Sequence, residues 1–213
     1  MTNYSKRSSS RRNSQRKLRS TKKGSGGSQI RIIAGKWRGR KLSVVAADGL
    51  RPTGDRVRET LFNWLMHDIP GSRCLDLFAG TGALGLEAAS RGAKEVVLVE
   101  ASTAVAEQLK AALIELDDSG GVSLLNVTAN DFLLSNSSRF NVVFLDPPFD
   151  QRLHETTLNH LKNSHLINGA LIYLELPTAE RSLVDQMPAV FSVFKEKRFG
   201  DVTVFVLQYA EKD

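Results

Sequence analysis

The sequence predicts an open, Rossmann-like α/β sheet of seven strands, ending in an antiparallel hairpin and preceded by a small basic β-hairpin. Three observations carry this. Short apolar runs alternate with helical stretches from Cys74 onward, the pattern of βαβ units in a parallel sheet. The first unit, CLDLFAGTGALGLEAASRGAKEVVLVE, turns on Gly80-Thr81-Gly82. The chain then closes on two β-rich runs, residues 190–198 and 202–209, across Phe199-Gly200-Asp201.

Taken in order, residues 1–29 are Ser, Arg and Lys with no acid, and Tyr4 and Leu18 are nearly their only apolar side chains. Such a stretch buries too little apolar surface to offset its ordering entropy, so it is expected to be a disordered basic tail. An RNA-touching arm is the preferred role. An organelle transit peptide is the alternative, although no amphipathic helix can be drawn through these residues.

Residues 30–50 read as a separate hairpin. Arg31-Ile32-Ile33 and Lys41-Leu42-Ser43-Val44-Val45 flank a Gly35/Gly39 turn that carries Lys36, Trp37, Arg38 and Arg40. Cations interleaved with an aromatic suit phosphate contact and base stacking. The competing reading is an edge hairpin guarded by a basic fringe, with Trp37 packed on the body.

The main domain is placed at 51–213. Arg51-Pro52-Thr53-Gly54-Asp55 is a turn, with Thr53 or Asp55 as the cap of a helix running to about His67. Val57, Leu61, Trp64 and Leu65 form its core-facing stripe, while Arg51, Arg56 and Arg58 extend the basic surface of the hairpin.

A buried strand at 74–78, the glycine turn, a small-residue helix at 83–90 and a strand at 95–99 ending on Glu100 make the central βαβ unit. Glycines let a ligand approach the backbone and a helix N-terminus, and Glu100 stands where a carboxylate accepts from ribose hydroxyls. A nucleoside-containing cofactor follows. The pattern Gly80-x-Gly82-x-x-Gly85 alone fits NAD and S-adenosylmethionine equally. Asp76, ending the first strand beside the loop, suits a cationic ligand better than a pyrophosphate.

Ser102 is expected to cap a helix with Val105, Leu109, Leu113 and Leu116 inward, and residues 122–128 make the third strand. Asp131 and Phe132 follow at its carboxyl end, where an acceptor and a ring can meet an adenine; taken alone, Asp131 reads more readily as a helix cap. The fourth strand, 141–145, runs into Asp146-Pro147-Pro148-Phe149. Two prolines remove backbone donors and leave acceptor carbonyls, so an Asp, a carbonyl and Phe149 can hold a planar base by its exocyclic amine. A helix at 152–164, a strand at 170–176 and a short helix at 178–186 complete the sheet before the closing hairpin.

Charge is divided. Residues 1–58 hold 17 of the 29 Lys and Arg but two of the 23 acids, a net +15 against −9 for the remainder. A basic arm on an acidic body points to a polyanion met at the N-terminal end. The single cysteine, Cys74, permits no internal disulfide and suits a reducing cytoplasm. The four histidines lack metal-ligand spacing, so no metal is expected, and no apolar run reaches membrane-spanning length.

With both motifs in hand, the chain resembles the class I S-adenosylmethionine-dependent methyltransferases. More narrowly it is similar to the bacterial 16S rRNA (guanine-N2-)-methyltransferase family. The resemblance covers roughly residues 30–209 and rests on IRIIAGKWRGRKL, LRPTGDRVRETLFNWL, CLDLFAGTGALGLEAASRGA and VVFLDPPF. It implies that Asp76, Phe78, Ala79, Gly80, Thr81, Gly82, Glu100, Asp131 and Phe132 contact S-adenosylmethionine. Asp146, Pro147, Pro148 and Phe149 would be the catalytic tetrapeptide. Arg31, Lys36, Trp37, Arg38, Arg40, Lys41, Arg51 and Arg56 would face RNA. The substrate implied is 16S rRNA in an assembled or partly assembled 30S particle, met by a cytoplasmic monomer. The pair Ala101-Ser102 departs from the family, where a bulkier or acidic residue follows Glu100. An adenine-N6 methyltransferase shares the motifs from Asp76 to Phe149, and a non-catalytic RNA-binding assembly factor is the rival from another class.

Overall fold

The computed structural model describes residues 28–44, 54–117, 119–147 and 153–211. Residues 1–27 of the expected tail, Arg51, the Thr53 cap, Pro148 and Phe149 lie outside them, whereas Ser28 and Gln29, assigned to that tail, open the first strand. The elements run β1 (Ser28–Arg31), β2 (Lys41–Val44), α1 (Asp55–Trp64), β3 (Arg73–Asp76), α2 (Ala83–Ser90), β4 (Glu95–Val99), α3 (Thr103–Glu115) and β5 (Val122–Leu125). They continue with α4 (Ala129–Ser135), β6 (Phe140–Leu145), α5 (His154–Ser164), β7 (Leu166–Pro177), a 3-10 helix (Thr178–Gln186), β8 (Phe191–Phe199) and β9 (Val202–Tyr209).

Seven strands form one sheet in the order β5-β4-β3-β6-β7-β9-β8. β3, β4, β5, β6 and β7 are parallel, and β9 pairs antiparallel with β7 and β8. Near-continuous Val and Leu in the central strands reflect burial on both faces. One face packs Phe62 and Leu61 of α1 against Phe144 and Tyr173, with Phe62 and Phe144 centroids 5.8 Å apart. The other packs Leu158 and Leu161 of α5 with Phe132 against Val143, Ile172 and Phe205. No helix among the described residues is long and apolar enough to cross a membrane.

The structure differs from expectation in several places: β5 ends at Leu125, not at 128, and α4 follows it where no helix was expected. β7 begins at Leu166, not Ala170, because Gly169 (φ +84°) lies within the strand and the β6–β7 register shifts beside it, where Asn168-Gly169 alone reads as a turn. Gly54, not Asp55, caps α1; Asp55 instead accepts from Arg58 at 2.6 Å. Arg58, expected on a basic surface, is 1% exposed.

Arg58 belongs to a buried charge cluster that docks the β1–β2 hairpin. Glu87 is the one acid in the helix ALGLEAAS and is fully buried. Its carboxylate accepts from Ile33 N–H at 2.7 Å and Ala34 N–H at 3.0 Å, pairs with Arg91 at 2.7 Å, and lies 3.7 Å from Arg58. Arg58 also donates to the Arg31 carbonyl at 3.0 Å. Beside it, Ser90 Oγ donates to the Ala34 carbonyl at 2.6 Å and accepts from Trp37 N–H at 3.0 Å. The turn approaches so closely that a Cβ on Gly35, at φ +83°, would lie 1.8 Å from the Ser90 carbonyl oxygen. Gly35→Ala is therefore expected to destabilise the fold by more than about 1 kcal/mol, measured by denaturant unfolding. An unchanged midpoint would mean that the turn re-docks freely.

Candidate active site

The site is built where the parallel strands end. Asp76 closes β3, is 2% exposed, and accepts from Gly85 N–H at 2.9 Å, tying the strand to the first turn of α2. Gly85 is required for that approach, since a Cβ there would meet Leu98 at 2.2 Å and the Asp76 carboxylate at 3.1 Å. Burial pushes the Asp76 carboxyl up to about 7; the Gly85 bond pulls it down and the charge of Glu100 adds a further push upward.

A raised carboxyl means that the folded chain binds more protons than the unfolded one between about pH 4 and about 7. This group's stabilisation is full below about pH 4 and is lost as pH rises through about 7. Asp76→Asn is expected to flatten that part of the stability profile, followed by denaturant midpoints from pH 4 to 8. An unaltered slope would contradict a buried, titrating Asp76.

The loop after β3 is held by backbone bonds. Ala79 N–H donates to the Val99 carbonyl at 2.8 Å and Gly82 N–H to the Ala79 carbonyl at 2.6 Å, with Gly80 at φ +50° and Gly82 at φ +75°. Glu100, just past β4, accepts from Gly80 N–H at 2.8 Å through one carboxylate oxygen and from Ser102 N–H at 2.7 Å through the other. Asn126 donates to the Glu100 carbonyl at 2.8 Å. Glu100 is thus fixed in place, partly exposed, with lone pairs remaining on both oxygens. Thr81 is buried in the turn and Phe78 half-buried against the core.

Asp131 is exposed and shares a cap with Thr128: its N–H donates to Thr128 Oγ1 at 3.1 Å, and that hydroxyl donates to its carboxylate at 2.7 Å. The Phe132 ring departs from expectation. It is 2% exposed and packs against Phe140 and His165, both 6.3 Å away, because α4 turns its apolar side to the sheet.

Asp146 leaves the end of β6, half-buried, and Pro147 behind it is buried. Leu77 N–H bonds the Phe144 carbonyl at 3.1 Å, so the glycine loop is tied directly to the β6 end. Two residues escaped sequence reading here. Tyr173, opposite Phe144 on β7, donates to the buried Glu175 carboxylate. Burial first, then the charges of Glu175, Asp146 and Asp76, hold its phenol well above the ordinary range, hence protonated. Glu175 and Asp146, with the partly protonated Asp76 beside them, give this end of the sheet a negative field that favours a cation and repels a pyrophosphate.

Of the cations expected to face RNA, Arg31, Lys36, Arg38, Arg40, Lys41 and Arg56 are exposed, and Arg40 is also bound to the Asp117 carboxylate. Trp37 corrects the stacking expectation. It is 3% exposed, its indole N–H donates to the Asp117 carbonyl at 2.7 Å, and Lys36 covers its ring at 4.5 Å. It anchors the hairpin and presents no face to a base.

Strand order, with the antiparallel partner inserted before the last strand, defines the S-adenosylmethionine-dependent methyltransferase fold. The solved structure of Escherichia coli yhhF, provisionally named a methyltransferase, shares it at a TM-score of 0.79 and 45% identity, covering 86% of this chain and 99% of that one. Within that class, the chain belongs to the family described as Conserved hypothetical protein 95, which matches residues 30–208. It is 49% identical over 185 residues to Ribosomal RNA small subunit methyltransferase D of Escherichia coli strain K12, covering 86% of this chain and 92% of that protein. The protein of the same name from Haemophilus influenzae is 48% identical over 184 residues, 84% and 94% covered.

Proposed function

We propose that this protein methylates the exocyclic N2 amine of a guanine in 16S rRNA, using S-adenosylmethionine, within a 30S particle or its precursor. The family supports the ribosomal RNA substrate, and Asp146-Pro147 at the end of β6, beside the glycine loop, carries the reaction type. The cofactor fits the residues present. Glu100 keeps acceptor positions for ribose hydroxyls, the Gly80-Thr81-Gly82 turn lies beside it with both glycines at positive φ, and the carboxylate-rich end suits a sulfonium and an ammonium. When bound, S-adenosylmethionine supplies a methyl group already joined to a good leaving group.

The remaining work is positioning. An amine on guanine has its lone pair drawn into the ring and is a weak nucleophile. Asp146 and the Pro147 carbonyl accept its two N–H groups, turn the lone pair toward the methyl and stabilise the positive charge growing on nitrogen. The proton leaves to Asp146 or to solvent. Because the amine lies within the helical stack, the base is unstacked first. A monomer acting in the cytoplasm is the arrangement proposed.

The test is a comparison of small-subunit rRNA nucleosides from strains with and without the gene. Loss of one N2-methylguanosine is expected. Loss of a methyladenosine would overturn the base assignment, and unchanged nucleosides would overturn the reading altogether.

A further inference from the structure

The charges of the outer strand alternate between its faces: Lys195 and Lys197 project to one, Glu196 and Arg198 to the other, where Arg198 donates to the Gly200 carbonyl at 2.7 Å. β8 bonds to β9 alone, and between its two end residues every side chain is exposed. Opposed residues of an antiparallel pair project to the same side. The register Lys195↔Val206, Lys197↔Val204 and Phe199↔Val202 therefore puts both lysines on the face that α1 and the docked hairpin cover further in. Neither lysine pairs with a carboxylate among the described residues; their ammonium groups lie 4.9 Å over Phe194 and 5.2 Å over Phe199. The acid of this strand, Glu196, projects to the opposite side and is held by Arg181 at 3.0 Å.

The register also sets their height. Leu145 pairs with Leu174, Leu174 with Phe205, and Phe205 with Glu196. One residue further along, Asp146 and Lys197 stand at the same level, three strand spacings or roughly 14 Å apart. Exposed Arg56 on α1 and Arg31 on the hairpin lie on that same side of the sheet. Lysines on an edge strand also discourage pairing with other chains. That role asks for charge anywhere on the edge and leaves unexplained two lysines without a carboxylate partner among the described residues on one face, Lys197 level with Asp146.

We propose that Lys195 and Lys197 form a second RNA-contacting surface, at the outer edge of the face that carries the N-terminal hairpin, that holds backbone phosphates flanking the target nucleotide. This rests on the RNA-methylating reading above. The test is the double variant Lys195→Gln/Lys197→Gln beside Lys195→Arg/Lys197→Arg, assayed for binding and methylation of small-subunit particles across a salt titration. The glutamine pair is expected to raise KM about tenfold and to lower the salt slope by about 1.4, at roughly 0.7 for each phosphate left without its lysine. Its kcat and S-adenosylmethionine affinity stay unchanged, and the arginine pair behaves as wild type. Unchanged KM and slope in the glutamine pair, with an active wild type, would overturn the surface alone. The same holds if exposed Val193 and Phe194, 42% and 45% accessible, serve a strand-paired dimer: sedimentation would then show a dimer in both the wild type and the glutamine pair, with unaltered KM. A wild type that neither binds nor methylates the particle would instead remove the reading on which the proposal rests.

Discussion

Asp146→Ala is expected to lower kcat by about a thousandfold or more, while S-adenosylmethionine binds as in the wild type. The separation follows from position. Asp146 leaves β6 beside the glycine loop, yet the loop's conformation is held by bonds that do not involve its side chain: Ala79 to Val99, Gly80 to Glu100 and Gly85 to Asp76. Removing the carboxylate takes away an acceptor for the amine and a stabilising charge at the nitrogen, both of which count most in the transition state. Asp146→Asn keeps size and one acceptor, so it should retain more activity than alanine. Single-turnover methyl transfer together with calorimetric cofactor titration checks both halves. Near wild-type turnover in the alanine variant would remove Asp146 from the chemistry.

Glu87→Ala is expected to cost about 3–5 kcal/mol of stability, since one carboxylate compensates several buried groups. Without it, Ile33 and Ala34 lose their N–H acceptor and Arg91 its partner. Arg58 keeps Asp55, but a guanidinium 1% exposed loses the second carboxylate beside it. The loss is a large share of the roughly 5–15 kcal/mol that holds a typical domain together. Because the same carboxylate seats the hairpin, affinity for RNA should fall as well. Glu87→Gln, similar in shape and uncharged, separates packing from charge and should still cost more than about 1 kcal/mol. A denaturant midpoint within experimental error of wild type in both variants would show that the cluster contributes no net stability.

What could be read in the sequence was whatever short-range pattern encodes. The order of strands and of every helix but α4 followed from apolar periodicity, and the glycine loop with Asp76 and Glu100 from a motif within one βαβ unit. What could not be read depends on partners far apart in the chain. Arg58 and Glu87 meet across 29 positions, and nothing near Arg58 distinguishes it from its exposed neighbour Arg56. A lone glutamate among Ala, Leu and Gly in α2 was the available signal, for a helix buried on all sides must pair any charge it carries. Trp37 and Phe132 were misread for a related reason. An aromatic beside cations or at a strand end suits ligand stacking and core anchoring alike, and only the packed neighbours decide. Tyr173 and Glu175 sit in an apolar strand run, where their mutual hydrogen bond makes burial tolerable.

The measurement that tests the central claim most directly is transfer of labelled methyl from S-adenosylmethionine to small-subunit particles from a strain lacking this protein, with and without Asp146→Ala, followed by nucleoside analysis. Label is expected in N2-methylguanosine with the wild type and none above background with the variant. Label in any other nucleoside, or equal label with the variant, would contradict that claim.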